Sequence, residues 1–257
     1  MGISSKDKRD IYYRLAKKMG YRARSAFKLI HIDESYNIFD GISNIVDLCA
    51  APGSWSQVVM EKCPHAKLVS VDLQEMVPIE GATCLKEDIT SDICTKKINN
   101  IFGDKKVELV LCDGAPDITG LHDLDEYFQT ELVLSALSIT QKIGREGCSF
   151  IAKCFRSDQT GYLRDHFKSF FDDVMFLKPR SSRSASVECF IYGKSMNNFT
   201  GNPLTFENNY ICEPVRLYSC GSGPDPDLTY LTNESSEDPK YLPISPPYKK
   251  AIEMRRK

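Results

Sequence analysis

Seven short apolar runs punctuate the first 194 residues, and stretches of helical length separate most of them. The runs are Asn44–Leu48, Lys67–Leu73, Ala82–Leu85, Val107–Cys112, Ser149–Cys154, Val174–Leu177 and Val187–Tyr192. They are nearly continuous in apolar residues rather than alternating, as strands buried on both faces are. Trp55–Cys63, Tyr127–Ile143 and Tyr162–Phe171 have the length and spacing of intervening helices. Strand–helix alternation of this kind predicts an α/β fold: a mostly parallel seven-stranded sheet with helices on both faces. Ahead of the sheet, residues 8–36 read as helical. Tyr12, Tyr13, Leu15, Ala16 and Met19 share one face, and Gly20 breaks the pattern. Ser25 is then placed to cap a second helix carrying Phe27, Lys28, Leu29 and Ile30.

Several classes are excluded early. No run approaches the ~20 apolar residues of a membrane span. The N-terminal MGISSKDKRD has no apolar core of a secretory signal and carries Asp7 and Asp10, unlike a mitochondrial transit peptide. A cytoplasmic protein is expected. Ten cysteines are present without a C-x-x-C pair, so reduced, buried thiols are expected rather than a zinc site or any other metal centre.

The charge is unevenly spread. Residues 1–28 hold nine Lys or Arg against two Asp, a charge of +7 within a chain of net charge −2. The basic N-terminal helical arm (1–36) is either a phosphate-binding footprint or a solvated helix face. After Lys194 the composition shifts, and eight of the thirteen prolines fall in residues 194–257. This divides the chain into a domain over 1–194 and a Pro-rich extension over 195–257, ending in a mobile basic tail.

Open parallel sheets bind ligands beyond the carboxyl ends of their strands. The first run is followed by the loop Cys49-Ala-Ala-Pro-Gly53-Ser-Trp55. With one glycine it is neither a dinucleotide turn nor a P-loop. The second run ends in Asp72, an acid placed for a ribose diol. The third is followed by Asp88, which could accept from an adenine amine. The fourth ends at Asp113. Carboxylates at successive strand ends would repel a pyrophosphate but accept the positive sulfonium and amine of S-adenosylmethionine. Each acid taken singly has a plainer reading, as a turn residue or, for Asp88, a helix cap. Trp55 alone is more often a packing residue.

Two lysines and a glutamate stand where apolar residues are expected. Lys153 ends the run SFIA, Lys28 lies between Phe27 and Leu29, and Glu188 lies inside the last run. With Asp113 they form a chemically sensible set. A hydroxyl nucleophile needs its proton removed, and lysine, with an ordinary pKa near ~10.4, is no base while protonated. Lys28 could lower Lys153, with Glu188 and Asp113 orienting it. A structural Lys153–Glu188 ion pair, with Lys28 solvated, accounts for the same residues.

The segments RARSAFKLIHID, VDLCAAPGSWSQVV, VSVDLQ, CDGAPDITGLHDLDEY, IAKCF and KPRSSRSASVECF, spread over residues 4–194, resemble the FtsJ/RrmJ ribose 2′-O-methyltransferases. Lys28, Asp113, Lys153 and Glu188 match that family's K-D-K-E tetrad. The resemblance implies a Rossmann-like SAM-dependent methyltransferase fold, with S-adenosylmethionine as cofactor and S-adenosylhomocysteine as product. It assigns Gly53, Trp55, Asp72, Asp88 and Asp113 to the cofactor, Lys153 to the base, and Lys28 and Glu188 to tuning it. Many members carry glycine four residues after the tetrad lysine, where this chain has Ser157. The N-terminal segment and YLPISPPYKKA look like the eukaryotic tRNA branch, which implies methylation of anticodon-loop nucleotides 32 and 34. It also implies auxiliary WD-repeat and HEAT-like subunits, for which the extension is the candidate surface. An rRNA or mRNA-cap enzyme is the nearest alternative. A non-catalytic RNA-binding scaffold is an alternative of another class, and an NAD dehydrogenase is a poor third.

Overall fold

The computed structural model describes residues 10–116, 120–157, 160–197 and 214–223. Two helices come first, α1 (Ile11–Met19) and α2 (Ala26–Tyr36). Asp10 caps α1 by accepting from the Tyr12 and Tyr13 amides at 3.0 and 3.2 Å. Gly20 ends it in the left-handed conformation (φ 82°), as its place in the sequence suggests. Ser25 occupies the N-cap position of α2, but its side chain makes no capping bond.

The remaining elements are β1 (Asn44–Leu48), α3 (Ser54–Lys62), β2 (Lys67–Asp72), β3 (Ala82–Lys86), α4 (Asp92–Phe102), β4 (Val107–Cys112), α5 (His122–Ile143), β5 (Gly144–Phe155), α6 (Thr160–Lys168), β6 (Phe171–Pro179), β7 (Glu188–Met196) and β8 (Leu217–Cys220). The strands form one sheet in the order β3-β2-β1-β4-β5-β7-β6-β8. Strands β1 to β5 run parallel, and β7 lies antiparallel between β5 and β6. The sheet thus has eight strands rather than the expected seven. The extra one, β8, comes from the Pro-rich extension and pairs parallel with β6, Phe176 opposite Leu217. Four residues flanked by turn formers carry too little periodicity to be read as a strand. The expected mobile tail lies outside the described residues.

Helices cover both faces. On one, α1, α2 and α3 pack through Tyr12, Leu29, Ile32 and Val58 onto Ile45, Leu109, Leu111, Ile151 and Phe190. On the other, α4, α5 and α6 pack through Ile98, Val133, Ala136 and Phe167 onto Val46, Val110, Phe150 and Ala152. Consecutive strand residues therefore face opposite layers. This alternation places the chemistry. Asp113 continues the parity of Leu109 and Leu111, Lys153 that of Ile151, and Glu188 that of Phe190 and Tyr192. All three parities belong to the α2 side, where Lys28 stands. No helix among the described residues is long and apolar enough to cross a membrane.

Candidate active site

The loop after β1 is held by Asp72 and by Arg22. Asp72, at the end of β2, accepts from the Ala51 amide through one oxygen and from the Gln74 amide through the other, both at 2.8 Å. The Arg22 guanidinium reaches the carbonyls of Pro52, Val77 and Pro78 at 2.8–2.9 Å. Gly53 has φ +103°, and a Cβ there would lie 2.7 Å from Arg22 Nη1 and from Ile79 Cδ1. Glycine is thus required both by its backbone and by the packed guanidinium.

Beneath the loop, Asp47 is fully buried. One of its oxygens accepts from Ser56 Oγ at 2.5 Å, and Ser56 lies 2.8 Å from Ser70 Oγ. The other has no hydrogen-bond partner. Burial, offset in part by Ser56, pushes the Asp47 carboxyl up to about 7. A raised acid pKa favours folding in the protonated state, so this contribution is complete below the ordinary carboxylate value of about 3.9 and is lost as pH rises through about 7. Asp47→Asn is therefore expected to reduce the loss of stability between pH 5.5 and 8, read by urea unfolding. Equal losses in both proteins would refute the assignment.

Trp55 is buried. Its indole N–H donates to the Ser25 carbonyl at 2.9 Å and its ring packs on Phe190, the centroids 5.6 Å apart. Ser25 thus receives α3 through its carbonyl instead of capping α2. Asp88 is exposed, and one of its oxygens accepts from the Thr90 amide and hydroxyl at 2.8 Å. The cap of α4 is Ser91, not Asp88.

The four residues of the lysine–carboxylate set converge. Lys28 Nζ lies 2.7 Å from Glu188 Oε2 and 3.8 Å from Asp113 Oδ1. Lys153 Nζ lies 3.3 Å from the same Asp113 oxygen and donates to the Asp113 carbonyl at 2.7 Å. The close partner of Glu188 is therefore Lys28. This differs from a simple Lys153–Glu188 pair with a solvated Lys28. Burial would lower the Lys28 pKa, but Asp113 and Glu188 outweigh it, so Lys28 is held above its ordinary value as a fixed cation. Burial likewise pushes Glu188 up, and Lys28, Lys153 and Ser182 more than offset it, leaving the carboxyl below its usual range. Ser182 Oγ donates to Glu188 Oε1 at 2.8 Å. Gln129 of α5 donates to the carbonyls of Lys153 and Gly114 at 2.8 and 3.2 Å, fixing the backbone under the lysine.

The FtsJ-like methyltransferase model matches residues 21–196, which spans every residue of this site. The chain belongs to the FtsJ-like methyltransferase family. It is 42% identical over 283 residues to the tRNA (cytidine(32)/guanosine(34)-2′-O)-methyltransferase of Homo sapiens, covering all of this chain and 86% of that one. It is 41% identical over 281 residues to the enzyme of the same name from Schizosaccharomyces pombe, covering 99% and 98%. Among solved structures, a Plasmodium falciparum chain assigned as a ribosomal RNA methyltransferase superposes with a TM-score of 0.63 at 28% identity, covering 68% of this chain and 98% of that one. Ser157 does not have a positive φ, so its backbone does not call for glycine.

Of the basic arm, Arg22 is buried against the loop after β1, Arg24 bonds Asp10 and the Ser181 carbonyl, and Lys28 joins the tetrad. Much of that charge is thus spent inside the fold, while Lys6, Lys8 and Arg9 lie outside the described residues. The sequence reading missed Arg22 and Gln129 because their partners are distant in the chain. Ser182 could have been found, since it sits in the quoted segment KPRSSRSASVECF.

Proposed function

We propose that this chain transfers a methyl group from S-adenosylmethionine to ribose 2′-hydroxyls of tRNA, at anticodon-loop nucleotides 32 and 34. The observation that carries the reading is the convergence of Lys28, Asp113, Lys153 and Glu188 beside a loop held by Asp72. The names of its relatives support the tRNA substrate, and an anticodon loop presents splayed, reachable riboses.

The residues present fit the cofactor. Acids stand at the ends of β2 and β4, the loop narrows to a glycine where a Cβ has no room, and Asp47 keeps a buried oxygen without a partner. Asp72, Asp88, Asp113 and Gly53 would hold it, with Trp55 fixing the loop from behind. When bound, S-adenosylmethionine supplies the methyl group. Lys153 does the proton work. As a neutral amine, it can give one hydrogen to the Asp113 carbonyl and keep its lone pair for the incoming 2′-hydroxyl. Lys28 stands as a fixed cation 3.8 Å from Asp113 Oδ1 and holds that carboxylate in place. Glu188 keeps Lys28 in place. Auxiliary subunits of WD-repeat and HEAT-like type and a cytoplasmic location belong to the same reading.

The test is to supply the protein to a lysate lacking the endogenous enzyme and map ribose methylation. Methyls at nucleotides 32 and 34 are expected. Methyls on rRNA or capped RNA instead would move the substrate and keep the chemistry. No methyl on any RNA would favour the scaffold reading.

A further inference from the structure

Beside the tetrad lies a cavity of about 270 Å³ lined by Arg24, Lys28, Ser182, Arg183, Ser186 and Glu188. Its two arginines come from distant parts of the chain, the turn before α2 and the loop between β6 and β7. One buried carboxylate oxygen joins them: Asp10 Oδ2 accepts from Arg24 and, at 3.2 Å, from Arg183 Nη2. Asp10 is 4% exposed, while the Arg24 and Arg183 side chains are 21% and 33% exposed. The anion is thus sealed in the wall and its cations face the opening.

The loop that carries Arg183 is fastened along its length. The Ser181 amide donates to His31 Nδ1 at 3.2 Å, and the Ser181 carbonyl accepts from Arg24. Lys178 donates to the Ser186 carbonyl at 2.7 Å. A cation pair held this way needs little reordering on binding, which favours affinity. Two hydroxyls, Ser182 and Ser186, add hydrogen-bonding capacity. The N-terminal turns of α5, linked through Gln129 to the far side of Lys153, have the opposite character. Leu124, Tyr127 and Phe128 are exposed there beside Asp123 and Glu131, a surface that repels phosphate.

We propose that Arg24 and Arg183, set by the buried carboxylate of Asp10, form the seat for a backbone phosphate of the RNA next to the target ribose. This rests on the reading of the chain as an RNA ribose methyltransferase. Arginine suits the task because its guanidinium is always charged, less strongly hydrated than an ammonium, and carries five N–H donors, so one group can hold Asp10 and still attract a phosphate. Asp10 then acts as a positioning residue, since it touches no substrate and sets the two guanidiniums apart from the tetrad carboxylates.

The test uses the full chain and a tRNA transcript, with affinity measured across a salt series and methylation measured in the supplemented lysate. Arg183→Ala is expected to weaken tRNA binding about tenfold, in the range for loss of a charge-assisted hydrogen bond. It should also reduce the slope of log affinity against log salt by about 0.7–0.9, the change for one lost phosphate contact. The loss should fall on KM for RNA rather than on kcat, with S-adenosylmethionine affinity unmoved. Arg183→Lys should restore the slope and part of the affinity. Wild-type affinity and slope in Arg183→Ala would overturn the proposal, as would a loss confined to kcat. If no RNA is methylated by the wild type and Arg183→Ala still lowers affinity and slope, the methyl-transfer reading falls and the phosphate seat stands.

Discussion

Lys153→Ala is expected to lower methyl transfer to tRNA by about 10²–10⁴-fold, the usual worth of a positioned general base. Affinity for S-adenosylmethionine should change little, because Lys153 Nζ donates to the Asp113 main-chain carbonyl and its removal leaves the ties of the loop after β1 to Asp72 and Arg22 in place. A loss of activity alone would not separate a base from a structural ion pair. Lys153→Arg does. Arginine keeps the positive charge opposite Asp113 but is protonated at any accessible pH, so it cannot accept the hydroxyl proton. If Lys153 is the base, Lys153→Arg should be nearly as inactive as Lys153→Ala. If Lys153→Arg keeps most of the activity, the lysine serves as a charge and the base lies elsewhere. Single-turnover rates at saturating RNA read the difference without the contribution of binding.

Asp72→Ala is expected to weaken S-adenosylmethionine binding by at least about 100-fold. The carboxylate accepts from two backbone amides, Ala51 and Gln74, and hydrogen bonds to a charged group contribute about 1.5–3 kcal/mol each. Without them the loop after β1 loses its tie to β2. Part of that cost falls on folding and part on binding, and each 1.4 kcal/mol of the latter is about tenfold in affinity. Titration calorimetry with purified protein reads the binding, and thermal melting shows how much fold is lost. Binding within about threefold of wild type would reduce Asp72 to a residue that closes a turn. Asp72→Asn should fall between, since one amide oxygen can still accept from Ala51 or Gln74.

The tetrad was legible because its members break their local pattern. A lysine at the end of SFIA and a glutamate inside an apolar run are conspicuous, and strand alternation then sends Lys153, Glu188 and Asp113 toward the same layer. The strands were legible because burial on both faces makes them continuous in apolar residues. Helix α4 was harder to see. Its buried face is Cys94, Ile98 and Phe102, a thin stripe among lysines and asparagines. Arg22 and Arg24 read as part of a basic arm facing RNA phosphate or solvent because arginine is usually at the surface. Their carbonyl and carboxylate partners, at Pro52, Val77, Pro78, Ser181 and Asp10, form no local motif. Strand β8 escaped notice because it is defined by its neighbour β6 and not by its own four residues.

The seam between β8 and α2 bears on how the protein is made. Gly221 and Gly223 lie against the His31 ring at distances that leave no room for a Cβ, and the Gly221 and Ser222 amides donate to Ser35 Oγ and Glu34 Oε2 at 3.0 and 3.3 Å. The helix that carries Lys28 leaves the ribosome well before the residues that cover its outer side. A nascent chain that has not yet reached residue 217 holds Lys28 on a helix with that side bare. The firmness of the helix under Lys28 thus depends on residues almost two hundred positions further along the chain, and translation products cut short before β8 lack that clasp.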